Sequence, residues 1–131
     1  MNTSSHKFAS LSVIFISIGV ALNVVCQAFM LSTADAASKG DMIVAGNMLA
    51  GYLGLNPISV ITLFIGITLM GLSLYLEKSL NSLILGLLII ISIIEVVIPL
   101  WDSRSSLLFI PFIGLFILSI IIGRLTIKRK Q

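Results

Sequence analysis

Between Leu83 and Leu100 the chain reads LILGLLIIISIIEVVIPL, an apolar run broken by a single charged side chain, Glu95. A run of this length matches the ~20 residues with which a helix crosses ~30 Å of hydrocarbon. Inside hydrocarbon no water satisfies the backbone, so a segment that enters it must make its own hydrogen bonds as a helix. An ionisable group there costs roughly 2.5–3.5 kcal/mol on insertion scales, and such groups have a partner or a task.

Three more apolar runs accompany it, and together they predict transmembrane spans over about 8–31, 58–76, 80–100 and 106–123. The sequence therefore predicts an all-α, polytopic membrane protein: a single four-helix transmembrane domain over residues 1–131. Composition agrees, with 58% hydrophobic and 10% charged residues. Soluble domains carry about 25% charged residues, enough to cover a surface facing water. The net charge of +3 does not point to nucleic acid, because half of the eight basic residues lie at the end of the chain, as Arg124, Lys128, Arg129 and Lys130. Beside a span, that cluster fits an anchor on anionic lipid.

The breaks between spans carry turn chemistry. Asn56-Pro57 is expected to open the second helix, since proline is tolerated in a first turn. Glu77-Lys78-Ser79 makes a tight polar turn, and Trp101-Asp102-Ser103-Arg104-Ser105 joins the last two spans with Trp101 in an interfacial belt. Pro111 is expected to kink the fourth span or close its first turn. With both termini on one side, that side holds Lys7, Lys78 and the four C-terminal basic residues, against Lys39 and Arg104 on the other. The positive-inside rule then predicts a cell-membrane protein with both termini cytoplasmic.

Ser32–Asn56 is the one sizeable stretch between spans, and this topology places it outside. Its second part is apolar at Met42, Ala45, Leu49, Tyr52 and Leu53, a helical spacing, with Gly46, Ala50 and Gly54 on an adjoining face. The expectation is an amphipathic helix capping the outer mouth, or a re-entrant segment. A cleavable signal peptide ending near Ala34-Asp35-Ala36 is disfavoured, because the apolar run exceeds the usual 7–15 residues and contains Asn23 and Gln27.

Polar and small residues recur at helical spacing in three spans: Ser12, Gly19, Asn23 and Gln27 in the first; Ser59, Thr62, Gly66 and Ser73 in the second; Ser92, Glu95 and Pro99 in the third. Such stripes suit close helix packing. At 1.5 Å per residue, Gln27 and Glu95 fall at similar depths below the outer surface. A polar cluster of Glu95, Gln27, Asn23, Thr62 and Ser59 is therefore the candidate site.

Enzyme chemistry finds no support. The sole histidine, His6, lies at the opposite depth from Glu95 and Cys26, and there is no phosphate-cradling glycine loop and no paired carboxylate in the spans. No metal site and no cofactor is predicted. The expected partners are the lipid bilayer and other membrane subunits or a second copy, without nucleic acid. The function read from these features is an accessory or structural subunit of a larger membrane complex. The alternative is a small oligomeric transporter or channel that uses Glu95 for proton or cation coupling.

Overall fold

A computed structural model describes residues 3–78, 80–102 and 109–129. Among these residues all four elements are helices: α1 (Thr3–Ser38), α2 (Met42–Leu76), α3 (Ser82–Trp101) and α4 (Phe109–Arg129). Three of them, α1, α2 and α3, are long and apolar enough to cross a membrane, while the apolar stretch of α4, Ile110–Leu125, is shorter. The expected starting point of the fourth span at Ser106 and the Ser103–Ser105 connection lie outside the described residues.

Two expectations are corrected. In place of a separate element over residues 32–56, residues 32–38 extend α1 and residues 42–56 form the first half of α2. Ala34, Ala36 and Ala37 are strong helix formers, so the polar tail of α1 continues the helix. Pro57 accordingly lies inside α2 and does not open it. Its lost hydrogen bond is tolerated because the helix keeps packing against α1 on both sides of it. Ala45 is buried on one side and Ser59 on the other.

The reversal between α1 and α2 takes only three residues. Gly40 adopts a φ of 78°, the left-handed conformation that favours glycine. The Asp41 N–H then donates to the Ala36 carbonyl at 3.0 Å and the Gly40 N–H to the Ala37 carbonyl at 3.0 Å, a Schellman closure. Asp41 also starts the next helix, its side chain accepting from the Val44 N–H at 3.1 Å. At the other end of α2, Lys78 takes a φ of 51°, and Asn81 caps α3 by accepting from the Leu83 N–H at 3.0 Å.

Packing follows chain order. Among the described residues α1 packs on α2, α2 on α3 and α3 on α4, with no contact that closes the row into a bundle. The α1–α2 pairing is the most extensive and α3–α4 the slimmest. Its seam is made of small residues. Ser5, Ser12, Gly19 and Cys26 are buried on α1 at intervals of seven; Ser59, Gly66 and Ser73 are buried on α2 at the same interval. A seven-residue repeat keeps one seam facing its partner along a left-handed helix pair. Small side chains on it let backbones nearly touch. A Cβ added at Gly19 falls 2.7 Å from the Leu63 Cα and N, and one at Gly66 falls 2.7 Å from the Ile16 Cγ1. Two hydroxyls stitch the same seam: Ser59 Oγ donates to the Gly19 carbonyl at 3.2 Å and Ser73 Oγ to the Ser5 carbonyl at 2.9 Å.

Candidate functional site

Spacing alone puts Leu85, Leu88, Ser92, Glu95 and Pro99 on one face of α3, and all five are buried. Glu95 is 1% exposed, among the most deeply buried side chains of the molecule. One turn before it, Ser92 Oγ donates to the Leu88 carbonyl of its own helix at 2.8 Å. One turn after it, Pro99 has no N–H, so the Glu95 carbonyl lacks the donor that an uninterrupted helix supplies. Oε1 of Glu95 is itself buried and has no hydrogen-bond partner. Buried polar atoms are nearly always paired, which makes this oxygen the anomaly among the described residues.

The five candidate residues do not meet. Ser59 joins α1, but through the main chain of Gly19. Thr62 Oγ1 donates within its own helix, to the Ile58 carbonyl at 2.7 Å. Asn23 is half-buried and Gln27 exposed on α1, a helix that does not touch α3. Glu95 is therefore separated from both amides by the α2 helix, and no hydrogen bond joins any two of the five.

A polar site that the sequence reading missed closes the open end of the α1–α2 hairpin. Ser5 Oγ donates to Glu77 Oε1 at 2.5 Å, while the Ser5 carbonyl accepts from Ser73. The seven-residue step from Ser5 to Ser12, Gly19 and Cys26 was the available signal for it. The contact ties the first turn of α1 to the residue that ends α2 as a clasp.

Because α2 and α4 do not touch, a groove of about 280 Å³ opens over α3, lined by Ile67, Met70, Leu74, Leu88, Leu115 and Ser119 among others. Glu95 does not line it. Its walls suit an apolar chain and offer little for a polar ligand. Among the described residues no three His, Cys, Asp or Glu side chains converge on a metal position.

Compared with protein-family models, curated proteins and solved structures, the chain matches none of them.

Proposed function

We propose that this chain is a small integral membrane protein that acts as an accessory or structural subunit, docking on other membrane subunits through the far end of its α1–α2 hairpin. The observation that carries the reading is a mismatch of lengths. At 1.5 Å per residue α1 and α2 run for about 54 and 52 Å, whereas α3 runs for about 30 Å, the thickness of the hydrocarbon. The contact of Gly71 with Ile89 sets α3 against the second half of α2, so the first half stands beyond it. That overhang is apolar, with Met42 71% and Ile43 80% exposed, and Leu49 and Leu53 exposed beside them. Apolar surface held clear of the hydrocarbon calls for protein to cover it.

Loop charge orients the assembly. Lys7, Lys78, Arg124, Lys128, Arg129 and Lys130 mark the cytoplasmic side, and Lys39 and Arg104 the outer one, so both termini are inside and the overhang faces out. The alternative, a small oligomeric transporter, needs several copies to enclose a path, because the open row of helices surrounds none.

Photo-crosslinking from positions 43 and 53 in native membranes tests the docking role. Covalent adducts with a different membrane protein are the expected outcome. Adducts confined to lipid would defeat the proposal, and adducts confined to a second copy would favour the oligomeric alternative.

A further inference from the structure

We infer that Glu95 is a proton-binding site that exchanges with water at the nearer membrane surface, a property independent of the docking role. The argument begins with what surrounds it. α3 touches only α2 and α4 among the described helices. Facing it, α2 carries no ionisable side chain from Pro57 to Leu74, and α4 none from Phe109 to Gly123. The next titratable groups along those helices are Tyr52 and Tyr75 on α2, on the two sides of that stretch, and Arg124 on α4, at the opposite end of the packing from Glu95. On α3 itself Glu95 is the sole titratable residue, and Asp102 follows only after the helix ends. Among the described residues no cation neutralises the carboxylate.

A metal cation fits the surroundings poorly. Calcium and magnesium take six or more oxygens. The only other side-chain oxygen on this buried face belongs to Ser92, so the face offers far fewer than six side-chain oxygens. A proton needs one lone pair, and Oε1 has one unused. Uptake forms a single O–H bond on the carboxylate, with the proton coming from water. Release breaks that bond and returns the proton to water, and nothing is oxidised or reduced.

Access has a structural basis. Glu95 lies six residues before the end of α3 at Trp101, a distance of about 9 Å along the helix axis. Pro99, between the two, removes a rung of the helix ladder, and missing rungs are where helices bend. The covering helix α4 makes the slimmest of the three interfaces, and its Gly114 meets Ile91 only at ordinary van der Waals separation, 3.5 Å for an added Cβ. Bending at Pro99 or displacement of α4 brings water to the carboxyl group.

The test uses the full chain in phosphatidylcholine vesicles and infrared spectroscopy in H2O and D2O. The expected result is a carboxyl C=O band that shifts in D2O and loses most of its amplitude as the pH is raised. Glu95→Gln should abolish the band and Glu95→Asp should move it, so a failure of one variant to fold leaves the other. As a readout that needs no variant, a hydrocarbon-soluble carbodiimide should modify Glu95 in the wild-type chain at low pH and at least about tenfold less at high pH, mapped by peptide mass. A band insensitive to both D2O and pH, or modification independent of pH, overturns the inference and leaves a sealed carboxyl group.

Discussion

The α1–α2 hairpin and the α3–α4 pair are both built from apolar helices, yet they are held together in different ways. In the hairpin, backbones meet across a repeated seam of serine, glycine and cysteine, and hydroxyls bond across it. In the α3–α4 pair the contact is slim: a Cβ at Gly114 has an ordinary neighbour, and Gly86 and Gly123 open onto free space. Hydropathy is blind to this difference. In lipid there is no hydrophobic drive between helices, so close approach and hydrogen bonds decide which pairs lock.

The sharpest way to break the comparison is to fill one glycine in each region. Gly19→Leu forces a side chain into the Leu63 backbone and should destabilise the hairpin by about 3 kcal/mol, the upper end of overpacking penalties. Gly86→Leu meets nothing and should change stability by less than about 0.5 kcal/mol. Unfolding in mixed micelles of a mild and a denaturing detergent measures both. Equal effects would show that the seam is not what distinguishes the two regions.

A smaller loss is expected where hydroxyls cross the seam. Ser59→Ala and Ser73→Ala should each cost about 0.6–2 kcal/mol in the same assay, the range for inter-helix hydrogen bonds in membranes. Ser119→Ala on α4, whose hydroxyl donates only within its own helix, to Leu115 at 2.9 Å, serves as the neutral counterpart. The Ser5–Glu77 clasp sits at the edge of the hairpin, where the hydroxyl is buried and the carboxylate only half-buried. Ser5→Ala should lose about 0.5 kcal/mol, and proteolysis of the N-terminal turn is a sensitive readout. Least of all should follow from Lys39→Ala, which breaks an exposed ion pair with Asp35 at 2.7 Å; about 0.3 kcal/mol, vanishing in high salt, is the expectation.

Much of the fold was legible in the chain. The apolar runs foretold helices, and the stripes on the first two spans foretold their packing. The stripe on α1 was centred wrongly, however. An ideal helix, at 3.6 residues per turn, aligns Ser12 and Gly19 with Asn23 and Gln27. A seam at 3.5 residues per turn drifts by about 20° in each heptad and runs through Cys26 instead. That drift is why Gln27 is exposed and Cys26 buried. The break expected at Pro57 failed for a related reason. Proline weakens a helix locally, but long-range packing along α1 outweighs one missing hydrogen bond.

The sequence by itself determined that this chain is helical and apolar enough for a membrane, and that Glu95 stands alone in its run. Both follow from local composition, because hydrocarbon leaves the backbone no option but the helix. Only the tertiary structure decided which helices touch. Residues at equal depth on α1 and α3 are kept apart by α2, and this ordering, not depth, left Glu95 without the amides the sequence had offered it. Depth is set by each helix alone, whereas adjacency is set by which faces fit, and fit is a property of pairs.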